Sequence, residues 1–297
     1  MYDLIIIGSG PAGLSAALYA GRYKLKTLVI GAVPGGLMIN TDLIENYPGF
    51  LKLSGIELTM KLQEQVQAQG IELKMEKVTK LQKSKAGFQV KTDRETFESR
   101  TLIIATGGQH RHLKLDREQE FENHGISYCA NCDAPLYKGK TVGVIGGSDT
   151  AVRYTLLASE YAQTVHLFYR KEVLRAEPSL LKALENKPNI QIRLNVTVDA
   201  LHGEQNLSAV SLNTGEKIEL QGLFVAIGQV PESELAQDLQ VTRDEQGFIV
   251  IDRASKTNVK GVYAAGDVTN SPWKQIIIGN AEGAFAAFSA YEYLKNQ

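Results

Sequence analysis

The chain of 297 residues is short of cysteine, of tryptophan and of net charge, with two, one and −1 respectively. With 33 acidic against 32 basic side chains, no surplus of cations exists to neutralise phosphates. Nucleic acid and anionic membrane surfaces are therefore excluded as partners on charge. No run approaches the roughly 18–20 consecutive apolar residues of a membrane helix; the early run Leu4–Ile7 ends at Gly8. Met1-Tyr2-Asp3 lacks the basic start of a secretory signal. These absences predict an intracellular, cytoplasmic protein that binds no membrane. The two cysteines, Cys129 and Cys132, stand two residues apart. In a reducing compartment such a pair is redox-active or metal-binding more often than a staple. The length predicts about two domains at roughly 150 residues each.

What the chain does have is a repeated pattern. Tyr2–Ile7 reads as a buried strand, Gly8-Ser9-Gly10-Pro11-Ala12-Gly13 as a turn, and the stretch to about Gly21 as a helix. Thr27–Ile30 returns as a strand, which makes a βαβ unit. Thr141–Ile145, Gly146-Gly147-Ser148-Asp149-Thr150-Ala151, a helix over 152–162 and a strand over 164–169 repeat it. Each copy is followed by a related strand end, Leu102–Gly107 and Leu223–Gly228. The sum is a duplicated dinucleotide-binding module. Alternating segments at 87–92 and 206–219 predict antiparallel strands, and a further strand pair is expected around Phe248–Ile251. Gly261–Asp267 and a final helix from about Gly279 to Leu294 are too short for a third module. They complete the first one, so the second is an insertion. The expected fold is α/β: two Rossmann-like, three-layer ββα domains, with 1–112 plus 241–297 forming the split domain and 113–240 the inserted one.

Gly8-x-Gly10-x-x-Gly13 follows a strand and opens a helix, the context the dinucleotide fingerprint needs. The first glycine makes the tight turn, the second lets a pyrophosphate approach, and the third lets helix pack on strand. The acid that usually reads the ribose after the second strand is absent, because Gly31-Ala32-Val33 follows Ile30. Asp267 ends a strand ahead of the last helix, where an ordinary helix cap is the plain alternative. Cys129-Ala130-Asn131-Cys132-Asp133 has no second CxxC, and His110, His112 and His124 offer no convincing ligand spacing. A two-cysteine redox centre is the better reading, with Asp133 placed to hand over the proton of thiol exchange or simply to cap a helix. Arg170, Lys171 and Arg175 follow the strand over 164–169, where a Rossmann unit reads the ribose. Cations there suit a 2′-phosphate, and a solvated basic turn is the plain alternative.

Taken jointly, GSGPAG at 8–13, PGG at 34–36, ENYPGF at 45–50, ATGG at 105–108, YCANCD at 128–133, GGSDTA at 146–151, YRKEVLRAEP at 169–178 and YAAGDV at 263–268 give the chain its resemblance. It resembles the low-molecular-weight, FAD-dependent thioredoxin reductases over essentially its whole length. That resemblance implies a homodimer with a split FAD domain and an inserted pyridine-nucleotide domain carrying the CxxC. It implies that Gly8, Ser9, Gly10, Pro11, Ala12 and Gly13 hold the FAD pyrophosphate. Ile30 and Gly31 through Gly35, Gly36 and Leu37 would line the FAD, with Asn46 near the flavin and Val78 near the adenine. Thr106, Gly107, Gly266, Asp267, Lys274, Gln275 and Ile276 would complete the FAD site. Gly146, Gly147, Ser148, Asp149 and Thr150, with Arg170, Lys171 and Arg175, would hold NADPH, or NADH in its place. Cys132 would lie next to the flavin, Cys129 would attack the substrate, and Asp133 would be the acid/base. Electrons would then run from NADPH to FAD, to the disulfide, and on to thioredoxin or a thioredoxin-like protein.

The departures are Leu37 where the family has Gln, Ala134-Pro135 after Cys-Asp, Ser148 in the second glycine turn, Arg153 where an acid often follows Ala-Val, and Tyr169-Arg170-Lys171 in place of His-Arg-Arg. They keep in play a ferredoxin-fed disulfide reductase, a dithiol oxidase that passes electrons to oxygen, and a non-catalytic redox sensor. A reductase fused to its own redox domain is disfavoured, since none precedes Tyr2.

Overall fold

The structure, a computed structural model, describes residues 1–41 and 43–297. The chain divides into two compact units, Met1–Gln109 with Val230–Gln297, and His110–Gln229. It crosses between them twice, in the short strands Gly108–His110 and Gln229–Pro231, which pair as a two-stranded ribbon.

In the first unit, Glu72–Lys74, Thr27–Ile30, Tyr2–Ile7 and Thr96–Ile104 run parallel side by side. Strands in such a sheet are covered on both faces, which is why Leu4–Ile7 and Thr27–Ile30 are buried without alternation. The far edge of Thr96–Ile104 is shared. Its first half pairs antiparallel with Gly87–Thr92, from Lys91↔Thr96 to Phe88↔Ser99. Its second half pairs parallel with Val262–Ala264, a strand that arrives only after the whole second unit. The return of the chain therefore finishes the first sheet. Pro11–Arg22 and the last helix, Ile276–Lys295, cover one face through small residues. A Cβ on Gly283 would fall 2.1 Å from the carbonyl oxygen of Ala12, so the two helices touch backbone to backbone. The last helix starts three residues earlier than the sequence pattern suggests.

Three expectations need correction. Around Phe248–Ile251 the chain forms isolated bridges, Arg243↔Ile249 and Ile249↔Thr269, rather than a strand pair. The helix of the second repeat spans Asp149–Ser159, opening at its glycine turn. Residues 230–240 pack with the first unit and not the inserted one. Ala236 and Leu239 are buried in its core with Leu81 and Val90, and Asp238 Oδ2 accepts the backbone N–H of Leu81 at 2.9 Å. Residues 110–112 belong instead to the second unit, where the His110 ring stacks on Tyr128 at 4.9 Å. The helix Gly55–Gln67 was not read from the sequence, although Ser54-x-x-Glu57 announces it: Ser54 Oγ accepts from Glu57 N and Glu57 Oε2 accepts from Ser54 N.

The second unit holds a five-stranded parallel sheet in the order Ile190–Leu194, Thr164–Tyr169, Thr141–Ile145, Gly222–Val225, Ile126–Ser127. An antiparallel sheet of Val198–Gly203, Leu207–Leu212 and Lys217–Glu219 lies beside it in the sequence order the turns predict. Each unit is thus a Rossmann-like α/β layer structure. No helix among the described residues is long and apolar enough to cross a membrane.

Candidate active site

The first glycine turn is built as its sequence requires. A Cβ on Gly8, whose φ is +115°, would sit 2.1 Å from the carbonyl oxygen of Ala105; one on Gly13 would sit 1.9 Å from that of Gly8. Both positions are closed by backbone. Gly10 is different, because a Cβ there would meet no protein atom nearer than the Gly35 oxygen at 3.8 Å. The helix Pro11–Arg22 opens with no side-chain cap and no acid in its first turn. Its orphan N–H groups and positive dipole end are left for an anionic group beside Gly10. This cradle fits a dinucleotide pyrophosphate.

Other predicted residues of the first unit gather on that turn. Gly35 N–H donates to Ser9 O at 2.9 Å, Ser9 Oγ donates to Val33 O at 3.0 Å, and a Cβ on Gly31 would strike Ser9 Oγ. Gly266 and Gly279 both approach Ala12, which brings Asp267 to the same helix start. Asp267 does not cap the last helix, whose cap position is Gln275. Burial pushes the Asp267 carboxyl above its ordinary range, and Lys274 pulls it back. Lys274 lies over the Phe248 ring and donates to Thr269 O, and burial lowers its own pKa. Asn46 Nδ2 donates to Gln275 Oε1 at 3.1 Å, and Asn280 Nδ2 to Tyr47 Oη at 2.8 Å. These two bonds carry the segment 45–50 to the residues that open the last helix, Gln275 and Ile276. Thr106 and Gly107 follow Ala105 and are engaged by Glu232, through Thr106 Oγ1 to Glu232 O at 2.6 Å and Glu232 N to Gly107 O at 3.0 Å. Two residues stand apart in character: Val78 is a core side chain in one cluster with Leu81 and Val90, and Leu37 is exposed.

In the second unit the glycine turn is braced by the basic segment. A Cβ on Gly147 would fall 2.3 Å from the Tyr169 ring, so any side chain there would have to displace that ring. Arg175 N–H donates to Gly147 O at 2.7 Å, and Arg175 Nε to Tyr169 Oη at 3.0 Å. Ser148 opens the helix Asp149–Ser159 without a side-chain cap, and Asp149 Oδ1 accepts Glu177 N–H at 2.8 Å. Thr150 follows in the first turn. Arg170, Lys171 and Arg175 are exposed beyond the strand end and form no ion pair among the described residues. A helix start without a side-chain cap, beside exposed cations outside any ion pair among the described residues, fits a phosphorylated nucleotide.

Cys129 and Cys132 are joined as a disulfide, with their Cα atoms 5.3 Å apart. Cys129 precedes a single helical turn, Ala130–Asp133, in which Cys132 N and Asp133 N both donate to Cys129 O at 3.1 Å. Both cysteines and Asp133 are partly exposed. Asp133 does not act as a helix cap; its Oδ2 accepts from Ser127 Oγ at 2.6 Å. Burial first, then the Asp133 charge, push the Tyr137 and Tyr154 phenols up to about 12. On the other side of the backbone, Tyr128 Oη donates to buried Glu118 at 2.8 Å and lies 2.8 Å from His112 Nδ1. Burial drives His110 down to about 4 and raises Tyr128 far above its usual value. Among the described residues no cluster of three or more His, Cys, Asp or Glu side chains is arranged to hold a metal.

A reducible disulfide beside a carboxylate, in a chain with two dinucleotide cradles, is matched by known proteins. The profile of the pyridine nucleotide-disulphide oxidoreductases covers residues 2–286. The chain is 38% identical to thioredoxin reductase of Treponema pallidum, over 99% of this chain and 97% of that one. It is 41% identical to NADPH-dependent thioredoxin reductase 3 of Arabidopsis thaliana over 98% of its own length, and it spans 58% of that longer relative. The crystal structure of thioredoxin reductase from Streptococcus pyogenes superposes with a TM-score of 0.93 at 34% identity, covering 100% of this chain and 99% of that one. The chain belongs to the low-molecular-weight thioredoxin reductases.

Members of this family are oxidoreductases, and the cofactors are FAD and NADPH. The ferredoxin-fed and oxygen-passing alternatives are not favoured by these matches. Sequence reading missed Ser127, Glu118, Tyr154 and the stacking role of His110. None of them lies in a motif. Ser127 carries one usable signal, since a polar residue that ends a buried strand two positions before a CxxC has to find a partner.

Proposed function

We propose that the chain reduces the disulfide of thioredoxin, or of a thioredoxin-like protein, with electrons from NADPH passed through FAD and the Cys129–Cys132 pair. The observation that carries this reading is the partly exposed disulfide next to Asp133, within reach of a protein partner. The unit 1–109 with 230–297 binds FAD through the residues gathered at Gly8–Gly13. The unit 110–229 binds NADPH through 146–150 with Arg170, Lys171 and Arg175.

FAD, held at Gly8–Gly13, would supply the electron pair that opens the disulfide, and NADPH, held by 146–150 with Arg170, Lys171 and Arg175, would be the source of that pair. The S–S bond then opens, taking up two electrons and two protons. The Cys129 thiolate attacks one sulfur of the partner's disulfide, so that a mixed disulfide forms and the partner's own bond breaks. Asp133 takes the proton of the Cys129 thiol and gives it to the sulfur that leaves. Cys132 next attacks Cys129 as its proton passes to the departing partner sulfur, so that the mixed disulfide breaks, the internal disulfide re-forms and the partner leaves as a dithiol.

The chain works as a homodimer in the cytoplasm. Tyr19, Phe285 and Phe288 are exposed on the two helices that pack together in the first unit, beside the stacked pair Tyr23–Tyr291. A patch of that kind is covered in an assembly. The cytoplasm supplies the reducing setting in which a lone CxxC cycles.

Anaerobic titration of the flavoprotein with NADPH, NADH and reduced ferredoxin tests the donor, with Cys129→Ser and Cys132→Ser tested for turnover. NADPH bleaches the flavin in all three proteins, and neither variant reduces thioredoxin. Bleaching by ferredoxin alone overturns the donor, and full thioredoxin reduction by either variant overturns the disulfide relay.

A further inference from the structure

The segment that delivers Cys129 is anchored by two successive side chains of opposite direction. Tyr128 is stacked on His110 and bonded to Glu118 on one side. Ser127, on the other, is almost wholly buried, ends the strand Ile126–Ser127, and pairs across to Phe224 in the parallel sheet. Its hydroxyl makes two contacts. It donates to Asp133 Oδ2 at 2.6 Å and accepts the backbone N–H of Cys129 at 3.0 Å. One oxygen thus ties the carboxylate that follows the second cysteine to the main chain of the first.

We propose that Ser127 is a positioning residue for the proton transfer that accompanies thiol exchange, holding the Asp133 carboxylate in fixed register with the Cys129 sulfur. The inference rests on the reading of Asp133 as the acid/base. A donor at this short distance to an ionised oxygen is a charge-assisted bond, among the stronger ones a neutral side chain makes. The N–H of Cys129 occupies a lone pair of the same hydroxyl, so its proton stays directed at Asp133. Any movement of the cysteine backbone is passed to the carboxylate through one atom. Groups near Asp133 include the phenols of Tyr137, from the 3-10 turn Ala134–Tyr137, and of Tyr154, from the helix Asp149–Ser159. Both titrate only at about 12 and remain neutral through the working range.

The test is a double-mutant cycle in the flavin-loaded protein: Ser127→Ala, Asp133→Asn, and the two together. Ser127→Ala removes one buried oxygen and no apolar contact, and flavin content with the rate of flavin bleaching by NADPH verifies that each variant is intact. Ser127→Ala lowers kcat for thioredoxin reduction about tenfold, in proportion to one charge-assisted bond, with KM for thioredoxin unchanged. In the Asp133→Asn background the same change has little further effect. An equal loss in both backgrounds, or a loss that falls on KM rather than kcat, means that Ser127 only supports the fold, and overturns the inference. If Asp133→Asn itself keeps wild-type rate, the acid/base reading fails as well. If only Ser127→Ala is silent, that reading stands and the inference alone falls.

Discussion

Replacing Gly10 and Gly13 by alanine, one at a time, separates binding from folding within a single turn. At Gly13 the new Cβ falls 1.9 Å from a backbone oxygen, about 1.5 Å inside ordinary contact. The helix would have to leave the strand to admit it. Overpacking against backbone in a filled core costs about 3 kcal/mol, which exceeds the gain of roughly 1 kcal/mol from alanine's helix propensity. At Gly10 the backbone is extended, with φ −75°, and the nearest protein atom is 3.8 Å away. Alanine is accepted there by the protein, and the apoprotein keeps its stability within about 0.5 kcal/mol. The methyl group occupies the approach to the uncapped helix start, so FAD is lost. Wild type gains about 2.7 kcal/mol from ligand present at a hundred times its Kd, and Gly10→Ala gains almost nothing. Urea unfolding of flavin-stripped protein, with and without added FAD, measures both quantities. An apo Gly13→Ala as stable as wild type, or a Gly10→Ala that FAD stabilises normally, would refute the account of the turn.

Two further outcomes follow from the second unit. If Arg170 and Arg175 hold the 2′-phosphate as proposed, each would contribute a charge-assisted contact of roughly 1.5–3 kcal/mol at most, so replacing both by alanine is expected to weaken NADPH binding tenfold or more and leave NADH nearly unchanged. Isothermal titration with the two nucleotides decides it, and equal losses for both would make the residues a general support of the turn, as the Arg175–Tyr169 bond suggests. His110 is held near pKa 4 by burial, below its ordinary 6.5. Above pH 6.5 it is neutral folded or unfolded and costs nothing. As pH falls from 6.5 towards 4 the unfolded chain takes the proton first, and stability drops by at most about 3 kcal/mol. His110→Gln flattens that loss in urea unfolding at pH 7 and pH 4.5, and a profile as steep as wild type would place the titrating group elsewhere.

The sequence by itself determined the parts whose chemistry is local. A glycine turn between a buried strand and a helix follows from spacing, because φ above zero at Gly8 and close approach at Gly13 are demands on those very residues. The repeat of that pattern at 141–169, the insertion of one module in the other, and the CxxC with its adjacent acid were legible for the same reason. Tertiary structure alone decided what depends on neighbours distant in the chain. The edge of Thr96–Ile104 is divided, half to a hairpin and half to a strand some 160 positions later, and although the return of Gly261–Asp267 to the first module was expected, periodicity carries no signal of this division. The same holds for residues 230–240, which the sequence reading placed in the inserted domain and which the burial of Ala236 and Leu239 assigns to the first unit. Ser127 illustrates the limit at the site. Its type and burial could be guessed from the strand, but the bond that joins it to Asp133 exists only because the helical turn Ala130–Asp133 folds the chain back onto the strand it has just left.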